Sequence, residues 1–144
     1  METHTQDDAP RLGLMSKADI LATPDREYRT VDVSKWWGKG RQVRVQSLTA
    51  GERDAWEASY VSQRKDGTQK VNTQTIRAGM VCRSLVDAEN HLLFTLEEVT
   101  ALQAKHAGAI DAIYTICAEM NGVTDSDVEE LQGNSGSGPI AATS

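Results

Sequence analysis

The sequence predicts an α+β domain, mainly α, in which an N-terminal β-hairpin packs on a bundle of four to five helices. The apolar residues from Ile76 to Val86 fall almost all round a helix, with only Arg77, Arg83 and Ser84 as a polar strip. A helix apolar on most sides must be walled in by its neighbours. Between Glu27 and Leu48 two stretches alternate with period two, and Thr49 with Glu52 and Thr95 with Glu98 form capping boxes that start further helices.

The chain has 144 residues, the length of one domain, and 39% hydrophobic residues are enough to build a core. With one Phe, three Trp and three Tyr, that core is filled mainly by aliphatic side chains and Ala. Residues Met1 to Gly13 are polar, lack periodicity and contain Pro10, which predicts a flexible arm over residues 1–15. Ser16 with Asp19 then caps a helical turn through Leu21, which Pro24 stops. In the first strand Tyr28, Val31 and Val33 alternate with polar residues, and in the second Val43, Val45 and Leu48 do so. Ser34 to Gly40 is the hairpin loop, where two glycines permit positive backbone angles.

From Thr49 a helix carrying Trp56, Tyr60 and Val61 is expected to run to about Lys65, where Asp66-Gly67 signals a turn. Asn72 or Thr73 caps the central helix, which gives way to the polar turn Asp87-Ala88-Glu89-Asn90 and the apolar run Leu92-Leu93-Phe94. Leu96, Val99 and Leu102 follow at three-residue steps, Lys105-His106 interrupts, and a long helix from about Ala107 to Met120 aligns Ile110, Ile113, Tyr114, Cys117 and Met120. Asn121-Gly122 stops it, and Thr124 with Asp127 caps a short final helix bearing Val128 and Leu131. The globular domain thus covers residues 16–131. The Gly/Ser-rich residues 132–144 cannot bury enough surface to offset their ordering entropy and read as a flexible tail.

Chemistry-bearing motifs are scarce. The three histidines, His4, His91 and His106, lie in the arm or near element ends, and no nucleophile elbow or Walker spacing occurs, so no catalytic residue and no enzyme is expected. Cys82 and Cys117 lack metal-knuckle or redox spacing and read as reduced core thiols. Asp125, Asp127 and Glu129 alternate like a calcium loop, but Glu130 stands where the turn needs glycine. Neither a metal nor a cofactor is expected. The absence of an 18-residue apolar run or a signal-peptide core predicts a cytosolic chain with no membrane partner.

The hairpin loop interleaves Lys35, Lys39, Arg41 and Arg44 with Trp36 and Trp37. Such a mixture attracts phosphates and stacks on bases, but the net charge of −6 disfavours a nucleic-acid partner. The alternatives are a Trp packed under the hairpin beneath solvated cations, or a protein-binding tip. Trp36, Trp37, Leu92, Leu93 and Phe94 are the candidate partner-binding residues, because loops and element ends can expose apolar groups.

Several stretches keep a definite order: Ala18-Asp19-Ile20-Leu21 before Pro24-Asp25-Arg26-Glu27; Val43-Arg44-Val45; Leu48 through Glu57; Arg77 through Asp87; Leu93-Phe94-Thr95 with Val99 and Leu102; and Asn121-Gly122 before an acidic segment. In order and spacing, over about residues 17–131, the chain resembles the tail assembly chaperones of long-tailed, siphovirus-type bacteriophages. The resemblance implies a non-enzymatic protein of the host cytoplasm that binds the tape measure protein. It would keep that protein soluble while tail tube subunits polymerise around it, then leave before the virion is complete. It further implies a homo-oligomer, the tail tube protein as a second partner, and a frameshifted longer form for which the tail from Gln132 suits a junction. The rival readings are a small phage nucleic-acid-binding or regulatory protein using the hairpin loop, and a structural tail component.

Overall fold

The helix expected at the centre of the chain is at the centre of the molecule. The computed structural model describes residues 13–124, in the order α1 (Lys17–Ala22), β1 (Tyr28–Asp32), α2 (Ser34–Trp37), β2 (Gln42–Gln46), α3 (Ala50–Ser59), β3 (Val61–Gln63), β4 (Gln69–Val71), α4 (Ile76–Ser84), β5 (Leu85–Val86), α5 (Val99–Gln103) and α6 (Ala107–Met120). It is an α+β fold, mainly α. Seven of the nine residues of α4 are buried, and α3, α5 and α6 pack round it with the sheet. The final helix expected from Thr124, most of the N-terminal arm and the Gly/Ser tail lie outside the described residues.

The expected β1–β2 hairpin forms, and its register places Val31 opposite Val43 and Arg29 opposite Val45. Val31, Val33 and Val45 enter the core. Its connection is more structured than a loop: residues Ser34–Trp37 close one helical turn, which Asp32 starts by accepting from the Ser34 backbone N–H at 2.8 Å and hydroxyl at 2.5 Å. Gly38 and Gly40 take φ of +121° and +75°, the angles for which glycine was expected.

Three further boundaries differ from expectation. The helix carrying Trp56 ends at Ser59, and the chain turns into a second hairpin in which Val61 pairs with Val71. Asp66 Oδ1 accepts from Thr68 and Gly67 adopts φ +90°, so the turn signal at 66–67 sits inside that hairpin instead of following a helix. A 3₁₀ turn, Thr73–Thr75, precedes α4, with the Asn72 carbonyl accepting from the Thr75 N–H. At its other end α4 stops at Ser84, and Leu85 and Val86 become a third strand opposite Val45 and Arg44. Ser84 is buried instead of marking an outer strip, its hydroxyl bonded back to the Met80 carbonyl at 2.9 Å. The hairpin is therefore part of a three-stranded antiparallel sheet, ordered β1-β2-β5.

The capping boxes read at Ser16, Thr49 and Thr95 are present, whereas the N-cap position of α4 falls to Thr75, not to Asn72 or Thr73, and makes no side-chain cap bond. Thr49 Oγ1 accepts from the Glu52 N–H at 3.1 Å, while Glu52 Oε1 accepts from the Thr49 N–H at 2.9 Å. The Glu52 carboxylate is also gripped by Arg26 at 2.6 and 3.3 Å, whose guanidinium reaches the Ser47 carbonyl. Partial burial works against ionisation of Glu52, but these donors outweigh it and hold the carboxyl below its usual range. Helix α6 ends in a Schellman turn: Val123 N–H donates to Ala118 O, Gly122 N–H to Glu119 O, and Gly122 takes φ +68°.

Trp56 and Tyr60 fill the space under α4, their rings 5.2 Å apart and edge to face. The Tyr60 hydroxyl is buried and has no hydrogen-bond partner among the described residues. Because an unmade buried hydrogen bond is a cost, Tyr60→Phe is expected to be neutral or to stabilise by up to about 1 kcal/mol in urea unfolding. Burial also pushes the Tyr60 phenol up to about 12. A phenol raised in the folded state stabilises fully below its ordinary value near 10 and loses that contribution as pH climbs toward 12. The advantage of the Phe variant should therefore widen across that alkaline window, and an advantage independent of pH would contradict this account.

Candidate partner-binding surface

Among the described residues, the exposed large hydrophobic side chains fall into two short segments. Leu14, Met15, Ile20 and Leu21 belong to the first, and Leu92, Leu93 and Leu96 to the second. The second is rigidly framed. Asp87 Oδ1 accepts from the backbone of Glu89 and His91, Asn90 turns the chain at φ +69°, and Leu92 then forms a β-bridge with Val86. The Leu93 N–H donates to the Leu85 carbonyl at 3.0 Å, and the Cys82 thiol donates to the Thr95 carbonyl from beneath. Half of each leucine side chain faces solvent, although the backbone that carries it is pinned to the sheet and to α4.

Of the residues singled out in sequence, Leu92 and Leu93 are exposed, whereas Phe94 is half-buried against the core. Trp36 and Trp37 are half-buried as well. Trp36 rests on the start of α6, where Gly108 leaves room for its indole, and lies 6.3 Å from the His106 ring. Lys35 sits 5.4 Å from the Trp36 ring and Lys105 5.9 Å from the Trp37 ring. The structure thus brings Leu92 and Leu93 into one segment and uses Trp36 to seat the hairpin connection.

Sequence reasoning passed over Leu96 and the N-terminal group. Leu96 opens the three-residue stripe that buries Leu102, but it sits in the 3₁₀ turn Leu96–Glu98 and the core begins one step later at Val99. Helix α1 is well capped at Ser16, yet it buries none of its residues. Its signal was the pairing of two apolar dipeptides, Leu14-Met15 and Ile20-Leu21, around a helix too short to hide them.

Both cysteines are free and buried, and burial pushes the Cys117 thiol up to about 11, so neither is a reactive thiolate. Among the described residues no group of three or more His, Cys, Asp or Glu is placed to hold a metal ion, and no helix is long and apolar enough to cross a membrane. A groove between α4 and α6 carries the Arg77–Asp111 ion pair at 3.4 Å, with the guanidinium 5.9 Å from the Tyr114 ring. No protein-family model, curated protein or solved structure matches this chain.

Proposed function

We propose that this chain is a tail assembly chaperone of a long-tailed bacteriophage, acting in the host cytoplasm and absent from the finished particle. The observation that carries the reading is the concentration of exposed large aliphatic side chains in two short segments, while the other aliphatic groups of the described chain form one core. Such a surface suits a partner rich in apolar helical surface, as a tape measure protein is. Leu92, Leu93 and Leu96 would make the contact on a prearranged backbone, so little ordering entropy is lost on binding. Each contact is small, and several copies along one long partner would add their effects through high effective concentration.

Co-expression with the tape measure protein of the phage that this reading implies is the test. Leu92→Ser, Leu93→Ser and Leu96→Ser together are expected to cut the soluble tape measure protein roughly tenfold, the equivalent of about 1.4 kcal/mol in the binding equilibrium. The far-UV circular dichroism should stay unchanged. Soluble yield that persists with the triple variant would sink the assignment, as would recovery of the chain in purified virions.

A further inference from the structure

The charges of this chain are segregated. No acidic residue occurs between Val33 and Gly51, a stretch that holds Lys35, Lys39, Arg41 and Arg44, and no Lys or Arg follows Lys105. The fold gathers part of the first set at one corner. Lys35 lies beside Trp36, Lys105 beside Trp37, and the Arg41 side chain passes 3.5 Å from where a Cβ would stand on Gly38. The corner lies against the N-terminal end of α6, because Trp36 rests on Gly108. Asp32 adjoins it, but its carboxylate is engaged by the Ser34 backbone and hydroxyl. Among the described residues none of Lys35, Lys39, Arg41 and Lys105 has an acidic partner, whereas Arg26, Arg29, Arg53 and Arg77 all do.

The complementary set lies past the other end of the same helix. Residues Asp125 to Leu131 read Asp-Ser-Asp-Val-Glu-Glu-Leu, four acids with two apolar residues and no cation. We propose that this acidic segment of one copy docks on the basic, tryptophan-containing corner of a second copy, joining the chains head to tail. Charge complementarity selects the occupant, and Val128 and Leu131 supply apolar groups for the exposed parts of the two indoles. Chain length selects a second copy over the same one. Helix α6 has 14 residues, about 21 Å at 1.5 Å per residue. From Thr124 a fully extended chain reaches about 10 Å at Asp127 and about 20 Å at Glu130. Asp125 and Asp127 therefore fall short of the corner on their own chain, and the segment as a whole cannot dock there. A contact between two different surfaces of identical chains propagates, closing into a ring or continuing as a filament. The contact uses neither Leu92 nor Leu93, so it stands whether or not the chaperone reading holds.

Sedimentation velocity of the full chain tests it. Association is expected at low salt and should weaken strongly between about 50 and about 500 mM NaCl, as the Debye length shrinks severalfold. Lys35→Glu with Lys105→Glu, and separately Asp125→Lys with Asp127→Lys, should each weaken association roughly tenfold or more, with unchanged circular dichroism. An equimolar mixture of the two variants should associate again, since each then offers the other a matching surface. A wild-type chain that stays monomeric at low salt, or a mixture no better than its components, would overturn the proposal. So would a chain whose corner binds a single-stranded oligonucleotide, loses it on Lys35→Glu with Lys105→Glu, and shows no self-association; the corner would then be a nucleic-acid site.

Discussion

Replacing Trp56 with alanine is expected to lower the free energy of unfolding by about 3–5 kcal/mol. Trp56 is 1% exposed and is the only buried residue of α3, so the packing of that helix against α4 rests on one ring. Its Nε1–H donates to the Ile76 carbonyl at 2.8 Å, at the start of α4 where the first helical turn has no side-chain cap. Its Cδ1 fits against Gly79, one turn further on, where a Cβ would stand 3.4 Å away. Truncation leaves a cavity under the central helix and removes this hydrogen bond to its first residue. Trp56→Phe keeps much of the volume but not the donor, and should fall between wild type and alanine. Against a total stability of about 5–15 kcal/mol, the alanine variant should be partly unfolded at ambient temperature. Urea unfolding followed by circular dichroism measures this, and a loss below about 1 kcal/mol would show that α3 is held by something other than this ring.

Gly108→Val should cost about 1–3 kcal/mol through a different cause, overpacking at a tight approach. A Cβ at position 108 would stand 2.7 Å from Trp36 Nε1 and 3.1 Å from Cε2, too close for the indole to stay where it is. The same atom would lie 3.2 Å from His106 Nδ1, which accepts from the Gly108 N–H at 3.0 Å and caps α6. The valine therefore disturbs both the seat of the hairpin connection and the start of the longest helix. Gly108→Ala carries the same clash, but about 1 kcal/mol of helix propensity offsets it, so its net effect should be smaller. Displacement of Trp36 into water should move the tryptophan emission to longer wavelength. An unshifted spectrum in a destabilised Gly108→Val would place the strain at the His106 cap instead. Since the corner is built on Trp36, self-association of the chain should weaken in step.

The elements with strong local punctuation were legible in the sequence. Helix α6 begins at Ala107 and ends at Met120 because Lys105-His106 breaks the apolar stripe and Asn121-Gly122 supplies a stop. Thr49 with Glu52 located α3 for a similar reason, since a cap is a bond between near neighbours. The short strands were not legible. Val61 continues the stripe of Trp56 and Tyr60 as readily as it starts a strand, and its pairing with Val71 depends on a partner ten residues away. Leu85 and Val86 fit the helical pattern of Ile76 to Val81, and only the free edge of β2 draws them into the sheet. Exposure was harder still. Leu92 and Leu93 were named as outward-facing and face outward, but the half-burial of Trp36 follows from a gap at Gly108, 72 positions further along the chain. Leu14, Met15, Ile20 and Leu21 escaped notice because local signals announce a helix without saying what it rests on.

Asn121 ties distant parts of the chain together. Its side-chain oxygen accepts from the Leu48 N–H at 2.8 Å, its amide donates to the Cys117 carbonyl at 2.7 Å, and its own carbonyl accepts from Arg53. The start of α3 is thus fastened to a residue almost seventy positions later, and Ile113 and Cys117 of the same late helix fill the core. During synthesis on a ribosome, the sheet and α3 emerge well before the piece that locks them. Residues up to the turn at Asn90 must wait as an open, greasy intermediate until α6 clears the exit tunnel, so the nascent chain should engage general folding helpers during that interval.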